Sequence, residues 1–123
     1  MKTLNTKTIK INKEHVIELM NYLSPIPFHN SLIIGAILEG IDGYENMNYN
    51  QRNNVKLLSD FINKRQLKRT RYSIRLNDDK IQMIFDFKNQ FKISTFSKAV
   101  NLAISTEIYM LKNEINIMDL TKE

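Results

Sequence analysis

Cysteine is absent from this chain of 123 residues, which excludes disulfides and thiolate metal sites and favours an intracellular protein. Only two histidines, His15 and His29, are present, too few to hold zinc without carboxylate help. No apolar run approaches the length of a bilayer span; the longest, residues 32–34 and then 36–38, is broken by Gly35. The opening residues, Met1-Lys2-Thr3-Leu4-Asn5, lack the apolar stretch of a signal peptide. A cytoplasmic protein with no membrane partner is therefore expected. No Ser/His/Asp set, P-loop or metal-ligand spacing occurs, so neither an enzyme nor a cofactor is expected.

What is present has the composition of a globular protein, with 42% hydrophobic and 25% charged residues, enough for one compact domain or two very small units sharing a core. The net charge is +5 and unevenly spread. Residues 1–42 carry four Lys/Arg and four Asp/Glu, whereas residues 43–69 carry six against two. The excess gathers around Lys64, Arg65, Lys68, Arg69, Arg71 and Arg75. Such a stretch suits a polyanionic partner, and equally a solvated helix end.

Along the chain, Thr6-Lys7-Thr8-Ile9-Lys10-Ile11 alternates polar and apolar residues as a half-buried strand does. Asn12 then offers an N-cap, and Val16, Leu19, Met20 and Leu23 recur at helical spacing. Pro25 and Pro27 stop that helix. A second helix is expected from Asn30 to about Ile41, with Leu32, Ile33, Ala36, Ile37 and Ile41 inward and Gly40, Asp42 and Gly43 ending it. A polar connector follows, turning helical with Val55, Leu58, Phe61 and Ile62. The opening pattern then returns. Arg71-Tyr72-Ser73-Ile74-Arg75-Leu76 alternates, and Asn77-Asp78-Asp79 caps a helix with Ile81, Ile84, Phe85 and Phe91 inward. Ser94 and Thr95 introduce a last helix with Ala99, Val100, Ala103, Ile104 and Ile108 inward. His15 falls on the polar side of its helix, and Glu107 and Glu114 have no evident partner.

A shift of 65 residues carries Ile9 to Ile74, Ile11 to Leu76, Asn12 to Asn77, Val16 to Ile81 and Leu19 to Ile84. A shift of 67 then carries Ile33 to Val100, Ala36 to Ala103 and Ile37 to Ile104. Strand–helix–helix is therefore written twice: 1–43 is a first unit, 44–69 a helical basic connector, 70–111 a second unit and 112–123 a tail. A unit of about 40 residues cannot bury its own apolar faces, but two can if their strands pair and their helices interlock.

In this arrangement the chain resembles the ribbon-helix-helix family of DNA-binding proteins. Residues 71–76 look like the family's strand, and Thr95-Phe96-Ser97-Lys98-Ala99-Val100 like the start of its second helix. The first copy departs there, with His29-Asn30-Ser31 at the helix entry and Gly35 in mid-helix. The resemblance implies a mainly α fold with a short two-stranded antiparallel ribbon, the tandem units forming an intramolecular pseudo-dimer. Gly35 would then let the two second helices cross closely, opposite Leu102. The tandem arrangement is similar to that of relaxosome accessory proteins of F-type conjugative plasmids and to small plasmid repressors. Double-stranded DNA is the implied partner, with a relaxase or further copies of the chain on adjacent sites in addition.

In such a ribbon the residues alternate to the apolar ones face the DNA. These are Thr6, Thr8 and Lys10 on one strand and Arg71, Ser73 and Arg75 on the other. Arginine and lysine reach guanine acceptors, while serine and threonine both donate and accept. Thr95, Ser97 and Lys98, with His29 and Asn30 in the first copy, stand at the entries of the second helices, where phosphate binds or capping suffices. Lys64, Arg65, Lys68 and Arg69 flank the ribbon as candidate backbone contacts. An apolar tail from Leu111 to Leu120 leaves an antitoxin-like protein-binding role as a further expectation.

Overall fold

A computed structural model describes residues 6–23, 30–64, 71–116 and 120, with only the backbone of Thr6, Lys7, Lys10, Asn30, Arg71 and Tyr72. The described elements are β1 (Thr6–Asn12), α1 (Lys13–Leu23), α2 (Asn30–Asn46), α3 (Tyr49–Lys64), β2 (Arg71–Asn77), α4 (Asp78–Gln90) and α5 (Phe96–Lys112). The protein is thus mainly helical, with one two-stranded antiparallel sheet. No helix among the described residues is long and apolar enough to cross a membrane.

The ribbon register is symmetric. Thr6 pairs with Asn77, Ile9 with Ile74, and Asn12 with Arg71. The 65-residue shift read from the sequence equates Thr6 with Arg71, Ile9 with Ile74, and Asn12 with Asn77. Strand pairing and sequence repeat therefore share one centre, the Ile9–Ile74 pair. Ile11, Ile74 and Leu76 are buried beneath the ribbon, whereas Thr8, Ser73 and Arg75 are exposed on the opposite face, as the two-residue period of a strand requires.

Both strands end in a capping asparagine. Asn12 Oδ1 accepts from the Glu14 N–H at 2.8 Å, and Asn77 Oδ1 from the Lys80 N–H at 3.1 Å, satisfying amides that the first helical turn leaves open. Thr95 caps α5 in the same way, through the Lys98 N–H. Asn48 and Gln51 form a reciprocal box before α3, each side chain accepting from the other's N–H. Helices α4 and α5 close alike. Ile93 N–H bonds the Lys88 carbonyl and Ile115 N–H the Met110 carbonyl, with Lys92 and Glu114 in the left-handed region. That placement accounts for Glu114.

Helix α5 is the axle of the molecule, packed by α1, α2, α3 and α4. It buries Leu102, Ser105, Thr106, Glu107 and Met110 in addition to the expected stripe of Ala99, Val100, Ala103, Ile104 and Ile108. Its hydroxyl at Thr106 returns to the Leu102 carbonyl at 2.8 Å, so that group enters the core already paired.

Several expectations are corrected by this packing. Gly40 and Gly43 do not end α2, which continues to Asn46; both are buried within it. The close crossing of α2 and α5 is at Gly40, where an added Cβ would overlap the Ala103 carbonyl, and not at Gly35, which is exposed with open space beside it. His15 is wholly buried, its Nε2 lying 3.4 Å from Ser59 Oγ on α3. The face of α1 that sequence periodicity leaves to solvent is covered here at His15 by the connector helix. Phe85 is exposed and rests on Phe96 at 5.0 Å between ring centroids, while Phe87 takes the core position. Phe61 likewise lies outside, with Val55, Ser59 and Ile62 forming the buried stripe of α3.

Phe87 packs edge-on against Tyr44 and Phe91 at centroid separations of 5.5 and 5.3 Å. Arg52 at the start of α3 covers the Tyr44 and Phe91 rings and donates to the Tyr44 and Glu45 carbonyls at 2.8 and 2.9 Å. It thereby closes the C-terminal turn of α2, where a cation is favoured.

Glu107 does have a partner: the Glu39 carboxyl of α2. Burial first, then repulsion from Glu39 and the hydrogen bond between the two, push its pKa from 4.5 up to about 8. The native state therefore holds a proton here that the unfolded chain releases above the ordinary carboxylate range. The stability contribution is complete below about 4.5 and is lost progressively as pH rises towards about 8. Thermal melts across that interval are expected to fall steadily, and Glu107→Gln is expected to flatten the decline. An unaltered slope in the variant would remove Glu107 from the account.

Candidate nucleic-acid interface

The outer face of the ribbon carries the residues expected to meet DNA. Thr8 lies opposite Arg75, and Lys10 opposite Ser73. Thr8, Ser73 and Arg75 present exposed side chains on one surface. Thr6, Lys10 and Arg71 share that register parity, though their side chains lie outside the described set. With apolar neighbours anchored in the core, a stiff two-stranded ribbon offers hydroxyl and guanidinium groups to a ligand broad enough to lie along both strands.

The helix entries occupy the rim. Thr95, Ser97 and Lys98 are exposed at the start of α5, with Thr95 committed to its capping bond. The second turn of that helix touches the ribbon, since Asn101 Oδ1 accepts from the Asn12 N–H at 3.4 Å. Capping and anion contact are compatible here, because one side chain satisfies only one of the open amides. At the other entry, Asn30 begins α2, with its side chain outside the described set, and His29 lies outside the described residues. Lys64 is exposed in the last turn of α3. Arg65, Lys68 and Arg69 lie outside the described residues.

Sequence reasoning missed two amides that organise this region. Asn12 is only 6% exposed, and its Nδ2 donates to Asn63 Oδ1 on α3 at 2.8 Å. Asn63 and Asn101 thus hold one end of the ribbon from two helices. A polar residue at each of these points carries no periodic signature, and only the packing of α3 reveals them. Elsewhere, no group of three His, Asp or Glu able to hold a metal occurs among the described residues.

Comparison with known proteins finds no matching family model, no matching curated protein and no matching solved structure.

Proposed function

We propose that this protein binds double-stranded DNA sequence-specifically, laying the outer face of its ribbon in the major groove as a tandem ribbon-helix-helix pseudo-dimer. The observation that carries the reading is the coincidence at Ile9–Ile74, where the centre of the strand register is also the centre of the sequence repeat. Two strand–helix–helix units related by a local two-fold have that property. The exposed Thr8, Ser73 and Arg75 supply the chemistry for base edges, and the basic excess around the connector supplies the backbone attraction.

The proposed setting is accessory binding at the transfer origin of a conjugative plasmid, alongside a relaxase, by the resemblance of the tandem arrangement. An autorepressor of a plasmid operon would use the same surface. An antitoxin-like role draws less support, because Ile115 and Leu120 pack against the protein's own core.

Selection of bound duplexes from a random library tests the proposal. An enriched, asymmetric site is the expected result, and its match to an origin or a promoter chooses the setting. Binding that loses all sequence preference and tracks salt alone would overturn it.

A further inference from the structure

We infer that the cleft between α3 and the start of α5 seats a DNA backbone phosphate, so that the protein grips one flank of its site more firmly than the other. The inference rests on the DNA-binding reading above and adds to it a contribution from the connector helix.

The cleft encloses about 210 Å³. From α3 it receives Lys56, Asp60 and Asn63, spaced four and three residues apart along one face, and from α5 it receives Lys98 and Asn101. Its position follows from two hydrogen bonds already described: Asn63 and Asn101 both hold Asn12, the last residue of β1. The cleft therefore adjoins the Asn12–Arg71 end of the ribbon. A duplex lying along Thr8, Ser73 and Arg75 carries its sugar-phosphate strands past the ribbon's ends. Phosphates there meet exposed ammonium groups, the usual source of positioning contacts that hold register without reading sequence.

Asp60 is the one carboxylate in the lining. It stands one helical turn from both Lys56 and Lys64, spacings at which opposite charges offset each other. The cleft keeps a positive balance, and Asp60 sets a limit on how tightly it holds an anion.

The far end of the ribbon is built differently. Asn77 caps α4 there as Asn12 caps α1, but the 67-residue shift equates Lys98 with Ser31 and Asn101 with Ile34. At these two matching positions α2 therefore carries neither the lysine nor the amide that α5 brings to the cleft. Sequence reasoning placed Lys98 near phosphate, but Lys56, Asn63 and Asn101 become relevant only once α3 is seen against the ribbon.

The test is the salt dependence of binding to the selected duplex, compared for the wild-type protein, Lys56→Gln/Lys98→Gln and Asp60→Asn. All three substitutions are at exposed positions. The double variant is expected to bind roughly tenfold more weakly at low salt, with a log–log salt slope shallower by about one to two and an unchanged base preference. Asp60→Asn is expected to bind about two- to threefold more tightly, the opposite direction. A double variant with the wild-type slope and affinity overturns the cleft while leaving the ribbon reading intact. A wild-type protein that selects no sequence overturns both.

Discussion

Arg75→Ala is expected to weaken binding to the selected site by about 1–3 kcal/mol, roughly five- to 150-fold, and to relax the preference at one position. Arg75 is exposed on the ribbon's outer face opposite Thr8, so its truncation removes no core packing and folding stability should move by about 0.5 kcal/mol or less. Loss of affinity without loss of stability isolates the contact. The asymmetry of the ribbon sharpens the expectation. The repeat equates Arg75 with Lys10, Ser73 with Thr8, and Arg71 with Thr6, so the two halves present different chemistry about the Ile9–Ile74 centre. A non-palindromic target with guanine on the Arg71/Arg75 side is expected. A palindromic site, with equal losses from Lys10→Ala and Arg75→Ala, would remove the single-chain reading.

The largest effect on stability is expected at Gly40. A Cβ there would overlap the Ala103 carbonyl, a backbone atom in the middle of α5 that moves only if the helix does. Overpacking of that kind outweighs the roughly 1 kcal/mol that alanine normally gains over glycine in a helix. Gly40→Ala is expected to destabilise by roughly 2–3 kcal/mol. Gly35→Ala is expected to do the reverse, stabilising by roughly 0.5–1 kcal/mol, because that position is helical, exposed and open. Urea denaturation of the two variants decides the matter, and shifts of the same sign would contradict the crossing geometry.

Periodicity and capping chemistry made the framework legible. Alternation in residues 6–11 and 71–76 located both strands, and Asn12, Asn77 and Thr95 marked the helix starts that follow or adjoin them. The internal repeat anticipated the centre of the ribbon, because a symmetric register is how two like strands bury like faces. What escaped the sequence is what depends on a third body. His15 looks solvent-facing until α3 lies across α1 and buries it with Ser59. Gly40 and Gly43 read as a helix stop, since glycine's intrinsic effect is local, yet their actual use is to admit α5. Phe85 and Phe87 stand two residues apart on α4 and so on opposite faces, and the aromatic cluster with Tyr44 and Phe91 takes Phe87 inward while Phe85 stays exposed. Within the candidate interface, the strand positions followed from period two, whereas Asn63, Asn101 and Lys56 required the placement of the connector.

Because β1 finds its partner β2 within the same chain, ribbon assembly is first order in protein. A two-chain ribbon comes apart on dilution and can be spoiled by subunits that carry a damaged strand. Here every intact molecule completes its own ribbon, and a defective copy has no strand to withhold from a sound one. Ribbon numbers therefore rise in direct proportion to protein concentration, without an assembly threshold, and a damaged allele should be recessive for ribbon formation.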